Sequence, residues 1–513
     1  MRLRFSGRGR PRGPRPEQAT APDMGIGLLR IGLVLVLVYA AIAVGMGYWQ
    51  VAQAGPLTAD PGNPLRQAAE RSARRGRILD TNGVVLAANV GPVGGAQQRR
   101  YPHPAVAPIV GYKSLLFGTS GLERTYDDQL IGLDQLGPGG EMLRKFRPDQ
   151  SDPSDLELSV DVRLQELAAR LLGGDRGAVV AIEPSTGRIL ALVSNPTFDP
   201  NQLVDATTAR SYLDKLSADP GSPLLDRATQ GRYVPGSVFK MVTAIAALDS
   251  GSITPATTFA DQPSQYRTGF KVDGFRIRDA PRTVQTDHPL TLDEATEISS
   301  NIYFAHVGLQ TGAQAMLDRA ARLGFGGALD FELPTASSQL TGGGGPLDGF
   351  QDDVELANAS FGQGQVLATP LQMALVAASI ANGGVLMQPK LVDRLVSQNG
   401  DVQTLDPHVL TRAMSPATAQ QVNDAMVRAV EGPFAAGYAG GAAVDGVTTA
   451  GKSGTAQLAD GELPHSWFIG FAPAEAPRIA IAVVVENGGF GSERAVPLAG
   501  RLLNAYLTRF SPP

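Results

Sequence analysis

The chain has 513 residues, 43% hydrophobic and 18% charged, which is enough apolar material for two or three packed domains and excludes a disordered polymer. It has no cysteine, so disulfides, thiolate metal centres and a cysteine nucleophile are ruled out, and its five histidines are scattered without metal-ligand spacing. The net charge of −5 is uneven: residues 1–24 carry six arginines against Glu17 and Asp23, a local +4, leaving −9 on the rest.

A basic tail can bind nucleic acid, but nineteen uncharged residues follow it, from 31 to 49. At about 1.5 Å per residue a helix there spans roughly 28 Å, close to the hydrocarbon thickness of a bilayer. The stretch is longer than the ~7 to 15 apolar residues of a cleaved signal. The reading is a basic tail over 1–24 and one membrane anchor over 25–49, with no nucleic-acid partner. The arginines then sit on the cytoplasmic side, Tyr48 and Trp49 lie at the far interface, and the bulk of the chain is outside.

Residues 50–157 are rich in breakers and read as a small N-terminal domain. Within them, Ile78-Leu79 and Val84 to Ala87 flank Asn82-Gly83, the pattern of a β-hairpin. Arg71, Arg74, Arg75 and Arg77 read as the solvated face of that domain. Gly137 to Gly140 and the acidic region around Pro153 read as linkers.

Residues 158–513 form the second unit. A helical period covers 164–172, and two apolar strands, 177–182 and 189–193, flank a Pro/Gly turn at 183–188. Helical segments follow at 240–248, 292–311, 315–323 and 370–382. Strands return at 466–471 and 479–485, before a last helix at 496–507. An α/β (α+β) sandwich is expected, with an antiparallel sheet closed by strands from both ends of the unit.

Seven lysines stand against 37 arginines, and Lys240 alone among them lies three residues after a serine, Ser237. Pro235-Gly236 opens a buried helix there, so Ser237 and Lys240 share one face of its first turn. A neutral amine in reach of a hydroxyl is a base able to activate it. Alone, such a pair is more often a serine cap with an incidental lysine. Lys452-Ser453-Gly454-Thr455 lies in a strand of small and β-branched residues, with Asp460-Gly461 as the following turn. Its cation and hydroxyls suit a carboxylate, and Gly454 leaves room for a ligand backbone. A plain glycine-bearing edge strand is the alternative. Ser299-Ser300-Asn301 interrupts two helical segments, where Ser300 or Asn301 can also act as a cap. A second Ser-x-Asn, Ser397 to Asn399, falls at a hairpin turn and is set aside.

Taken in order, these three motifs resemble the set carried by penicillin-binding proteins and serine β-lactamases. The chain most resembles the class B penicillin-binding proteins, in a short subtype found in actinobacteria. The similarity runs from about Arg74 to the C-terminus. It includes Arg75 to Asp80 with Asn82-Gly83, Gly121 to Asp127, Gly177 to Val193, Asn195 to Asn201, Gly362-Gln363-Gly364 and Thr369 to Gln372. Three positions depart from the usual pattern: Ser453 for Thr, Asp226 for Asn, and Val238 for Thr.

The resemblance implies a penicillin-binding transpeptidase domain over 158–513, after a pedestal or dimerisation-like domain over 50–157 and one transmembrane helix. It implies a peptidoglycan D,D-transpeptidase, with D,D-carboxypeptidase side activity, that acts on stem peptides ending in D-Ala-D-Ala and is trapped by β-lactams. Ser237 would be the nucleophile, Lys240 the base, Ser299 a proton relay and Asn301 the group that holds the stem amide and orients Lys240. Lys452, Ser453 and Thr455 would bind the terminal carboxylate, with the backbone amides of Ser237 and Thr455 as the oxyanion hole. No metal or other cofactor is implied. A membrane glycan polymerase is the implied partner, beside the lipid bilayer itself. A β-lactamase-like hydrolase and a non-catalytic β-lactam sensor or assembly scaffold are the alternatives.

Overall fold

The computed structural model describes residues 24–48, 74–92, 97–132, 152–280, 287–458 and 461–510. The expected basic tail, Trp49, the linker at 137–140 and Asp460 lie outside these. Helix α1, Met24–Gly47, is a unit by itself. Its segment Leu28–Gly47 has a mean hydropathy of 2.4, is wholly unburied and is long and apolar enough to cross a membrane. The remainder from Ala68 onward packs as one compact unit.

The expected hairpin forms between β1, Ile78–Leu79, and β2, Val85–Val90. Asp80 makes its turn: Oδ1 accepts from the backbone of Asn82 and Val84, both at 2.8 Å. Strand β3, Gln98–Arg100, extends it. Strand β4, Ser154–Leu158, then pairs in parallel with β1. The region around Pro153 is thus no simple linker, since Asp155 within β4 holds Arg77 at 2.6 Å.

Arg75 is not on a solvated face either. With Arg99 it clamps Glu123, at 2.7 and 2.6 Å, and all three side chains are buried. Burial alone would raise the Glu123 carboxyl, but the two guanidiniums outweigh it and hold the group near 2. A further 2.7 Å contact joins Arg75 to Asp127. A buried carboxylate between two cations ties the start of this region to its interior, which a solvated face would not do.

Helix α2, Val162–Leu172, leads into the main sheet. Its strands β5, Gly177–Ile182, and β6, Ile189–Asn195, form the hairpin expected there. The segment carrying Ser237 is a tight turn, Gly236–Phe239, continuing into helix α3, Lys240–Asp249. The hairpin β7, Phe270–Val272, and β8, Phe275–Ile277, precedes α4, Leu292–Glu297, and α5, Asn301–Thr311. Helix α6, Pro370–Ala381, starts on a Thr369 cap with proline in its first turn. Strands β9, Val392–Ser397, and β10, Val402–Thr404, turn at Asn399-Gly400 and join the first sheet, giving the order β10-β9-β4-β1-β2-β3. One sheet therefore draws strands from both sides of residue 158.

Helix α7, Pro416–Glu431, precedes strands β11, Ala450–Ala456, β12, His465–Ala472, and β13, Ile479–Val485, and helix α8, Ala495–Ala505, ends the fold. The main sheet has the order β11-β12-β13-β5-β6 and is antiparallel throughout, with the C-terminal β13 paired to β5. Both faces are buried, which explains why its strands read as continuous apolar runs. Along β13, Ile479, Ile481 and Val483 join the core under α2 and α8, while Ala480, Ala482 and Val484 join the one under α3 and α6. Strand β11 is the sheet's edge, and α3 and the turn before it pack beside it.

Glu123→Ala should strip the buried Arg99 guanidinium of this anion and leave Arg75 only Asp127, costing about 3 kcal/mol. The denaturant midpoint should fall accordingly, and a change below about 0.5 kcal/mol would contradict the assignment. For the parent the sign follows from a carboxyl depressed in the fold. Its contribution is fully present above about pH 4.5 and is lost as pH falls through about 2.

Candidate active site

Three segments remote in sequence meet at the edge of the main sheet. The first is the turn carrying Ser237. Gly236 has φ +57°, a region that favours glycine, and a Cβ there would lie 2.7 Å from the Thr455 carbonyl oxygen. Its amide donates to the Gly362 carbonyl at 2.9 Å. The second segment is β11. A Cβ on Gly454 would come within 2.9 Å of the Val238 side chain, so the clearance at this glycine is taken up by the turn that carries Ser237. Ser237 and Thr455 are neighbours because neither Gly236 nor Gly454 has a side chain.

The third segment is the loop joining α4 to α5. Ser299 adopts φ +58°, a left-handed conformation uncommon for a residue other than glycine. Ser300 caps α5, accepting from the Tyr303 amide at 3.1 Å, so capping and the motif coexist at this loop. The carboxylate of Asp279 accepts from the Ser300 hydroxyl at 3.1 Å and from the Ile302 amide at 3.0 Å. Together they hold Ser299 where its hydroxyl faces both lysines.

Lys240 and Lys452 are buried. Lys240 Nζ has four oxygens in reach: the Ser299 carbonyl at 2.7 Å, Asn301 Oδ1 at 2.8 Å, Ser237 Oγ at 3.0 Å and Ser299 Oγ at 3.2 Å. The first two can only accept, so Nζ donates to both of them. Lys452 Nζ donates to Ser299 Oγ at 2.9 Å and to the Ser453 carbonyl at 2.8 Å. Burial pushes its ammonium down to about 7. One hydroxyl, Ser299 Oγ, thus stands between two amines.

All eight residues singled out in the sequence lie in this cluster or in the strand that borders it. Ser453 is buried, and Thr455 Oγ1 accepts from the Gly491 amide at 3.2 Å. Asn301 Nδ2 donates to the Arg278 carbonyl at 3.0 Å, which turns its oxygen toward Lys240. Arg278, Asp279 and Gly491 were not visible as site residues, because no local pattern links them to the motifs. Of the departures, Val238 packs against Gly454, and Asp226 is half-buried, its carboxylate accepting from the Thr229 hydroxyl at 2.8 Å. Burial pushes the Asp226 carboxyl up to about 6.

The sequence and the fold are similar to those of known proteins. Residues 177–504 match the model of the penicillin binding protein transpeptidase domain, and residues 75–144 that of the penicillin binding protein A dimerisation domain. The chain is 36% identical to the peptidoglycan D,D-transpeptidase PbpA of Mycolicibacterium smegmatis, over 89% of this chain and 94% of that protein. It is 32% identical to the peptidoglycan D,D-transpeptidase MrdA of Acinetobacter baumannii, over 77% of this chain and 64% of that protein. The imipenem acyl-enzyme of penicillin-binding protein A from M. tuberculosis superposes with a TM-score of 0.75 at 33% identity, covering 86% of this chain and all of that one. With its two matched domains and relatives similar over most of its length, the chain belongs to the penicillin-binding protein transpeptidase family.

Proposed function

We propose that this protein is a peptidoglycan D,D-transpeptidase that works through a Ser237 acyl-enzyme. The observation that carries the reading is Lys240 Nζ, which lies 3.0 Å from Ser237 Oγ while two carbonyl oxygens occupy its N–H bonds. Such an amine is set to accept the hydroxyl proton as Oγ bonds to the carbonyl carbon of the penultimate D-Ala. The amides of Ser237 and Thr455 receive the oxyanion, where a single donor is worth about 3 to 4 kcal/mol. As the C–N bond breaks, Ser299 passes a proton to the departing D-Ala. The amine of a second stem then attacks the ester, returning the proton along the same path and forming the cross-link.

Lys452, Ser453 and Thr455 hold the terminal carboxylate on the edge strand β11. As an antiparallel edge strand, β11 also offers alternate backbone groups to an extended peptide. Asn301 orients Lys240 and can exchange its bond to the Arg278 carbonyl for one to the stem amide. β-Lactams acylate Ser237 in place of the stem. The apolar α1 and the basic tail support a single-pass protein with a cytoplasmic N-terminus and an external catalytic unit. Glycan polymerisation then falls to a separate membrane partner.

Intact-mass spectra after exposure to benzylpenicillin should show one stable adduct on the parent and none on Ser237→Ala. An adduct on the variant, or rapid multiple turnover of the antibiotic by the parent, would overturn this assignment.

The Lys452 value adds a pH dependence. With a free-state pKa of about 7, the amine is largely uncharged above that pH. A bound carboxylate favours the charged form, so binding takes up a proton there and weakens as pH rises. Acylation by benzylpenicillin, relative to its carboxyl-amidated analogue, should therefore be level below about pH 7 and fall by up to about tenfold per unit above it. A ratio that stays constant from pH 6 to 9 would contradict the role of Lys452.

A further inference from the structure

The hairpin β7–β8 stands directly upstream of the groups that hold Asn301 and Ser300. Its inner face is fastened to α5: Phe270 stacks on His306 with ring centroids 3.9 Å apart, and Val272 and Ile277 are buried. Its outer face has no such explanation. In the strand register Lys271 lies directly opposite Arg276, and Arg278 follows immediately after the strand's last residue, Ile277. All three are exposed, and among the described residues no carboxylate forms an ion pair with any of them. Arg276 donates to the Thr268 carbonyl and to no acid. The hairpin's one carboxylate, Asp273, sits in its turn without an ion pair among the described residues.

Like charges directly opposite in an antiparallel pair weaken it, so this arrangement is costly unless an anion is drawn between them. The face is also close to the chemistry. The Arg278 carbonyl bonds Asn301, and Asn301 bonds Lys240.

We propose that Lys271, Arg276 and Arg278 form a subsite for a carboxylate of the stem peptide, upstream of the scissile bond. The terminal carboxylate belongs to Lys452 and β11, so this would be a second and separate acid on the same substrate. Stem peptides carry internal carboxylates that are either free or amidated, and the subsite selects the free acid. Two guanidiniums and an ammonium match a carboxylate by charge-assisted hydrogen bonds. The inference rests on the transpeptidase reading and adds a substrate preference to it.

The test uses the full chain and two synthetic stem pentapeptides ending in D-Ala-D-Ala, one with its internal carboxylates free and one with them amidated. Each competes with a fluorescent penicillin for Ser237. The free-acid peptide should halve labelling of the parent at about a tenfold lower concentration than the amidated one, an advantage that shrinks with added salt. The double variant Lys271→Gln/Arg276→Gln should label with penicillin at the parental rate, which also reports its folding, yet treat the two peptides alike. Lys271→Glu/Arg276→Glu should reverse the preference. Equal protection of the parent by both peptides, or a preference that survives in the double variant, would overturn the subsite. So would binding of phosphatidylglycerol vesicles, and not of the free-acid peptide, that depends on Lys271 and Arg276. Release of D-Ala from either peptide is measured in parallel: its absence would strike the transpeptidase reading, while the competition result speaks to the subsite alone.

Discussion

Two lysine amines buried on either side of one serine hydroxyl are costly to keep charged, and most of the molecule can be understood as the frame that holds them there. Lys240 and Lys452 both reach Ser299 Oγ, and each also donates to a backbone carbonyl, of Ser299 and Ser453 respectively. Burial favours loss of a proton from Lys452, whose ammonium is pushed down to about 7. An amine near neutrality can take up a proton when a carboxylate comes beside it, so the desolvation of Lys452 suits it to the carboxylate role proposed above.

Holding such a pair needs rigid supports that the amines do not supply. Lys240 is the first residue of a helix buried on all sides, and Lys452 lies on a strand locked into a sheet covered on both faces. The third support is a strained loop, with Ser299 in a left-handed conformation held by Asp279, Ser300 and the start of α5. Close backbone approaches at Gly236 and Gly454 close the remaining gap. The N-terminal region belongs to the same frame, since β1 and β9 share β4 as a neighbour in one sheet.

Much of this was legible from the chain. Strands 177–182 and 479–485 stand where continuous apolar runs put them, because a sheet buried on both faces leaves no polar alternation to blur its limits. Ser237 and Lys240 were readable because a helical turn fixes their spacing. Asp279 and Arg278 were not, since their part in the site depends on a hairpin folding back over α5, and no local pattern encodes that. Arg75 was misjudged for a related reason. Four nearby arginines look like a solvated face until Glu123, 48 positions away, is brought between Arg75 and Arg99. The clearance at Gly454 was legible, but its use by the protein's own Val238 depended on the tertiary approach of two segments.

The central claim is that burial holds the Lys452 amine near neutrality in the resting enzyme. Only seven lysines are present, so their side-chain amines can be followed individually by nitrogen NMR as pH is varied. The account predicts that the Lys452 amine titrates near pH 7 in the ligand-free protein, a signal that disappears in Lys452→Met. A Lys452 signal that titrates near 10.5, the ordinary value for lysine, would contradict it.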